Sequence, residues 1–346
     1  MTDDAGLNLF QQQEANRRRT TWLVIGFILF FAWLGFGGDF IYHLSTADAP
    51  PEAYHHSFPW IGVVLTLIGA GIARYGYQTG SNKVLWSTGA VEIVQPATDK
   101  ERQLVNVVEE MAIAAGVPRP RIWIVPDADP NAFATGVDPA HAHIAVTQGL
   151  LDICSRDELQ GVIGHELGHV KNLDIRLMTM LAALVGAVIL MHDGVGRLLR
   201  GGMWSGGSGR GGGGGKKSNL GQLAIILLVV WIISWILAPI VTRMIAMAVS
   251  RKREFLADAM GAQFTRNPMA LASALEKIEA AEAPTASIKG GAAHLCIADP
   301  LGRRVNLKEG GLSDVFGTHP PMATRVIRLK GMAYQRMKAE GQLPAG

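Results

Sequence analysis

The chain has 346 residues, 49% of them hydrophobic and only 18% charged, with a mean hydropathy of +0.21. The charged share lies below the roughly 25% of an ordinary soluble domain, which excludes a single soluble globule and points to a membrane protein with a soluble part. A formal charge of +3 is too small to argue for nucleic acid as a partner, and two cysteines, Cys154 and Cys296, make neither a disulfide framework nor a cysteine metal site.

Residues 1–19 form a polar tail that ends in Arg17, Arg18 and Arg19. An apolar run follows from Thr20 and meets no charge until Asp39, a length that suits a transmembrane helix. A cleaved leader ending near Ala47 and Ala49 competes with this reading. The length of the run and Pro50 after the supposed site favour an uncleaved span. Residues 42–57 hold acids and no Lys or Arg, and a second apolar run, 58–72, closes at Arg74. Positive-inside bias then predicts two transmembrane helices over 20–78, with the N-terminus in the cytoplasm and the 42–57 loop outside.

Residues 79–174 read as the first part of a soluble catalytic domain. A helix over 101–115 is stopped by Gly116, a strand covers 121–125, and Asn131 to Gly136 is a loop or an irregular strand. The alternating stretch 143–147 reads as a further strand and as an exposed edge, on which Ile144, Ala145 and Val146 offer their main chain to an extended peptide. Ser155 with Glu158 forms a capping-box pattern that starts the next helix.

That helix carries His165-Glu166-Leu167-Gly168-His169. The two histidines stand four residues apart on one face, where a single zinc ion binds both, and Glu166 is placed to take a proton from water. An ordinary helix that happens to hold two histidines is the plainer alternative. The helix is expected to continue through Asp174 into a third apolar segment, 177–191. Ten of the fifteen residues in 201–215 are glycine, a flexible linker without a phosphate-loop pattern. A fourth apolar run covers 220–240. Residues 175–245 thus read as a hairpin that either crosses the membrane or dips into it, since the basic residues of its 193–219 loop oppose an outside location. The second part of the catalytic domain occupies 246–346. A third His six residues after His169 is absent, Ile175 standing there, so a downstream carboxylate is the remaining route. Glu254 is the candidate third ligand, with Asp258 one turn on as the acceptor for a histidine N–H. A solvated face with Glu254 paired to a neighbouring base explains the spacing equally well, and Asp174 is the fallback ligand.

Asn131-Ala-Phe-Ala-Thr-Gly136, His165-Glu166-Leu-Gly-His169-Val-Lys-Asn, Ser250-Arg-Lys-Arg-Glu254-Phe-Leu-Ala-Asp258, Ala293-His294-Leu295 and Thr318-His319-Pro320-Pro321 occur in that order. Together they resemble the HtpX-type integral membrane zinc metallopeptidases, relatives of the CAAX-processing zinc peptidases. The resemblance implies an α+β membrane protein: four transmembrane or intramembrane helices and a Glu-zincin catalytic domain, mostly helical with a small antiparallel sheet. It implies one Zn2+ per chain on His165, His169 and Glu254, Glu166 as general base, His319 as an oxyanion donor, and Asn131 beside the substrate backbone. His319 also fits the mere start of the amphipathic stretch 322–332, His294 has no chemical role, and His55, His56, His141 and His143 read as surface histidines. The expected activity is cleavage of unfolded or damaged membrane proteins at the cytosolic face of a bacterial inner membrane, as quality control under stress. A specific processing peptidase and a non-catalytic zinc-stabilised scaffold are the alternatives.

Overall fold

The computed structural model describes residues 9–46, 56–205, 229, 232–233, 251–281, 295–298 and 320–340. His55, His294, His319, the glycine-rich stretch from 206 onward and nearly all of the fourth apolar run lie outside them. The chain divides into two compact units, one of residues 1–21, 78–183 and 245–346, the other of 22–77 and 184–244.

α1 (Leu9–Thr46) and α2 (Trp60–Ser87) supply the apolar runs, and their residues 22–46 and 60–77 belong to the second unit. Both are long and apolar enough to cross a membrane, the two that are so among the described residues. Asp39 near the end of α1 caps the start of α2, accepting from the backbone N–H of Ile61 (3.1 Å) and Gly62 (2.5 Å). Its Oδ1 also lies 2.7 Å from His56 Nε2. His56 is therefore buried and not a surface residue, because a carboxylate already turned toward a helix N-terminus draws the imidazole in with it.

The first unit holds the sheet: β1 (Val91–Glu92), β2 (Arg121–Val125), β3 (Ala132–Thr135) and β4 (His143–Thr147), in the order β1-β2-β4-β3. β1 and β3 run antiparallel to their neighbours, and β2 pairs parallel with β4, Arg121 opposite His143 through Val125 opposite Thr147. The sheet is mixed, not antiparallel as expected. β3 folds back on β4 as a hairpin and leaves β4 running the same way as β2.

That topology corrects the expected edge. β4 is an inner strand, paired on both sides, and all five of its residues are buried. The main chain of Ile144, Ala145 and Val146 is committed to β2 and β3 and offers nothing to a peptide. The outer strand on this side is β3. His143 is also buried, its Nδ1 accepting from Trp123 Nε1 at 3.1 Å. Burial, with the Arg121 and His141 charges, pushes this imidazole down to about 4. His141 is exposed.

Helices cover the sheet. α3 (Asp99–Ala115) is capped by Thr98 and closed by Gly116 at φ 67°. A short α4 (Gln148–Ile153) leads into α5 (Arg156–Lys171), the central helix, packed by α3, β3, α7 (Arg251–Thr265) and α8 (Pro268–Ala280). The Ser155–Glu158 capping box is present in both directions, and Ser273 and Lys277 of α8 bind the same Glu158 carboxylate at 2.6 and 2.7 Å. α9 (Met322–Ala339) lies against α8. Leu104, Val108, Ile144, Val162, Leu271 and Leu329 are among the buried residues of the resulting core.

α5 does not run on into the third apolar segment. It ends at Lys171, Leu173 adopts φ 60°, and α6 (Asp174–Ser205) starts anew. A left-handed residue costs a side-chain-bearing position on the order of 1 kcal/mol, and buried Leu173 accepts that cost where the chain changes direction. The break turns Asp174 back toward His169, whereas an unbroken helix would aim it away.

Candidate metal centre

His165 and His169 project from α5, and Glu254 comes from the first turn of α7. One nitrogen of each histidine and one carboxylate oxygen of Glu254 all lie within 4.8 Å of one another. His165 Nε2 is 3.7 Å from Glu254 Oε2, and His169 Nε2 is 3.5 Å from Glu254 Oε1. Small residues allow this closeness. A Cβ on Gly261 of α7 would stand 2.9 Å from the backbone nitrogen of His165, and one on Gly164 would stand 3.2 Å from Gly261 Cα. The two helices therefore touch backbone to backbone.

Each histidine has a carboxylate behind it. Asp258 Oδ1 lies 2.9 Å from His165 Nδ1, and Asp174 Oδ2 lies 3.2 Å from His169 Nδ1. With Nδ1 of each ring donating to its carboxylate, both Nε2 atoms present lone pairs, only 3.2 Å apart and both facing Glu254. Three electron-rich donors turned on one point fit a cation. Two imidazoles and a carboxylate are a common catalytic zinc set, one that leaves a position for water. The surrounding acids favour positive charge at this point, and a proton on the His169 ring competes there with a metal ion. Burial alone would lower the pKa of that ring, but the hydrogen bond to Asp174 and the charges of Glu254, Asp174 and Glu166 raise it to about 9. His165, fully buried, is held below its usual value by that burial despite Asp258.

Glu166 sits beside this cluster, 1% exposed, and its Oε1 has no hydrogen-bond partner. Burial pushes its carboxyl up to about 7, with His169 opposing and Glu254 adding to the effect. A buried carboxylate oxygen without a partner, on a group that burial raises toward neutrality, is suited to take a proton and give it back.

One residue that the sequence reading passed over joins the centre. Arg325 of α9, fully buried, donates to both oxygens of Asp258 at 2.9 and 2.7 Å and to Ile297 O at 2.9 Å. Its Nη1 also lies 3.6 Å from Glu254. Burial raises the Asp258 carboxyl, yet the Arg325 charge and its hydrogen bonds hold it at about 2. The available signal was positional: Arg325 falls three residues after Met322 and four before Leu329, on the apolar stripe of an amphipathic helix.

The outer edge of β3 is covered by the chain itself. Phe133 bridges antiparallel to Cys296, and Ile297 N–H donates to Ala132 O at 2.9 Å. Asn131, buried, uses its side chain on the same segment, donating to Ala298 O (3.1 Å) and accepting from Ala298 N–H (3.4 Å). Thr179 of α6 bonds Thr135 and Gly136 at the far end. The cavity left in front of Glu166 is small, about 20 Å3, and is lined by Ala134, Glu166, His169, Glu254 and Leu295 among others. Ile144, Ala145 and Val146 do not reach it, and His319 lies outside the described residues.

Residues 98–333 match the model of Peptidase family M48. A "Protease HtpX homolog" of Thermoanaerobacter pseudethanolicus is 38% identical over 94% of this chain and 98% of its own length. The protein of the same name from Streptococcus gordonii is 37% identical over 94% of this chain and all of its own. The crystal structure of S. mikatae Ste24p is similar at a TM-score of 0.43 with 16% identity, over 89% of this chain and 66% of that one. A match across more than half of the chain, with relatives of this identity over nearly all of it, places the protein in peptidase family M48 as a zinc metallopeptidase of the HtpX type.

Proposed function

We propose that the enzyme is an endopeptidase that cleaves unfolded or damaged membrane proteins and peptides at the cytosolic face of a bacterial cytoplasmic membrane. The observation that carries this reading is the convergence of His165, His169 and Glu254 on one point, with the Glu166 carboxyl buried alongside. His165, His169 and Glu254 hold one zinc ion, and Asp258 and Asp174 orient the two rings. When bound, zinc polarises the scissile carbonyl and makes the attacking water acidic. Glu166 takes the proton of that water on its carboxylate and delivers it to the leaving amine. His319, immediately before buried Pro320 and six residues before Arg325, is the candidate donor to the developing oxyanion.

The substrate pairs as an extended strand along β3, where residues 295–298 already display that mode of pairing and where Asn131 grips a backbone on both its N–H and its C=O. Main-chain recognition tolerates many side chains and demands an unfolded stretch, which suits quality control. The arginine triplet before the first apolar run supports a cytosolic N-terminus and, after two crossings, a cytosolic catalytic unit. The apolar runs of residues 175–245, which from 206 on lie almost wholly outside the described residues, are read as a hairpin that crosses the membrane or dips into it between the two parts of that unit.

Glu166→Gln in the detergent-purified full chain tests the reading. Zinc content should stay at one ion per chain while cleavage of an unfolded membrane-protein substrate disappears. Retained cleavage would remove Glu166 from its role, and a biological activity that survives without cleavage would make the protein a scaffold. Equal turnover of soluble unfolded chains and membrane substrates would remove the membrane preference.

A further inference from the structure

The two histidines have matching carboxylates, but those carboxylates are held from different places. Asp258 is clamped by Arg325. Asp174 is held by a residue at the other end of the sequence. Asn16 Nδ2 donates to Asp174 Oδ1 at 2.7 Å and to Asn172 O at 2.9 Å, while Asp174 Oδ2 faces His169 Nδ1. One helical turn earlier, Gln13 Nε2 donates to Lys171 O at 2.7 Å.

Asn16 is 4% exposed, although its segment is polar and precedes the first apolar run. An amide buried in this way is placed by its hydrogen bonds, since burial without partners would cost on the order of 1–3 kcal/mol. Its location explains the burial. α5 ends at Lys171 and leaves carbonyls without helical partners. Gln13 and Asn16 satisfy two of them, and the Asn16 amide reaches the Asp174 carboxylate as well. Arg253 Nε, 3.7 Å from Asp174 Oδ1, adds attraction beyond hydrogen-bond range. A carboxylate held on one oxygen pivots about its own axis; one held on both presents a fixed acceptor to the ring. His169 is the more exposed of the two histidines, at 16% of its side chain against 1% for His165, so its orientation depends more on this hold.

We propose that Asn16 is a positioning residue for the metal centre. It acts through Asp174 to fix the His169 ring, and thereby makes the polar first turns of α1, ahead of its apolar run, part of the zinc site. This rests on the reading of His169 as a ligand.

The test uses the full chain in detergent and measures Zn2+ affinity by chelator competition and the visible absorption of the Co2+-substituted protein. Asn16→Ala should weaken zinc about tenfold, the low end of what loss of such an outer partner costs, and should shift the cobalt bands. Gln13→Ala breaks the neighbouring bond to α5 without touching Asp174, and should leave both readouts as in the wild type. In an Asp174→Ala background, Asn16→Ala should bring no further loss. Wild-type zinc affinity and cobalt bands in Asn16→Ala would overturn the proposal. So would an equal loss in Gln13→Ala, or a full additional loss on top of Asp174→Ala. His169→Ala is read separately: if it keeps wild-type zinc affinity, the ligand assignment has failed, not the role of Asn16.

Discussion

Arg325 and Asp258 hold each other through two hydrogen bonds inside the protein, with Asp258 also at the back of His165. A pair of this kind contributes little net stability compared with apolar residues of the same size, but breaking it leaves an uncompensated charge. Arg325→Met should therefore destabilise the enzyme by about 3–5 kcal/mol. The double variant Arg325→Met, Asp258→Leu should recover most of that loss and still bind zinc poorly, because His165 then lacks its acceptor. Thermal unfolding and zinc competition on the two variants separate the structural role from the orienting one.

Glu254, Glu166, Asp258 and Asp174 gather four acids around two histidines. Removing the cation should leave this cluster repelling itself. Chelation should lower the unfolding temperature, and zinc should restore it, with about 2.7 kcal/mol gained at a hundredfold excess over Kd. His169→Ala should abolish that zinc-dependent increment. The unfolding temperature in chelator and in buffered zinc, followed by circular dichroism, reads this directly.

The contact at Gly261 gives a second lever on the metal. Its neighbour is the backbone of His165, which cannot move aside as a flexible side chain would. Gly261→Ala should part α5 from α7, cost about 1–3 kcal/mol as an overpacked core does, and weaken zinc by drawing Glu254 away from the histidines. Gly331→Ala on α9 is the control. Among the described residues, no atom beyond its own helix turn lies within 4 Å of the added methyl, so that variant should gain about 0.5–1 kcal/mol. A stabilised Gly261→Ala would contradict the packing argument.

Glu158 links the start of α5 to α8 through Ser155, Ser273 and Lys277. Burial raises its carboxyl, but these hydrogen bonds outweigh it and hold the group at about 2, against an ordinary 4.5. Because the folded value is the lower one, its stabilisation is complete above about 4.5 and fades as the pH falls toward 2. Glu158→Gln should cost about 1 kcal/mol at neutral pH, as loss of a cap does. The difference from wild type should shrink through that acidic window. Denaturant midpoints of both proteins at several acidic pH values check it.

Much of this was legible because it is local. The Ser155–Glu158 box, the stop at Gly116 and the four-residue spacing of His165 and His169 each act within one or two turns. Glu254 was legible only as a residue type at a compatible place. What escaped depends on pairing across the chain. β4 reads as an alternating strand whether it lies at an edge or inside, and the hairpin from β3 decides. Position 173 is a leucine, with no glycine or proline to announce a break, so α5 and α6 read as one helix and Asp174 reads as turned aside. Asn16 sits in a polar tail and Arg325 in an amphipathic stripe, and neither position reveals a carboxylate waiting for it.

The segment over β3 makes the cleft a site of competition. Residues 295–298 are tethered, so they face the edge at a high and constant effective concentration, whatever the substrate supply. If substrate pairs along β3 as proposed, a peptide would have to take the place of Leu295 to reach Glu166, and its apparent affinity would be reduced by the fraction of time the edge stands covered. Short or folded chains, with little backbone to offer in exchange, would then be turned away by the enzyme's own segment. On the same proposal, long unfolded chains would gain enough pairing to replace it, and selection would begin before any side chain is read.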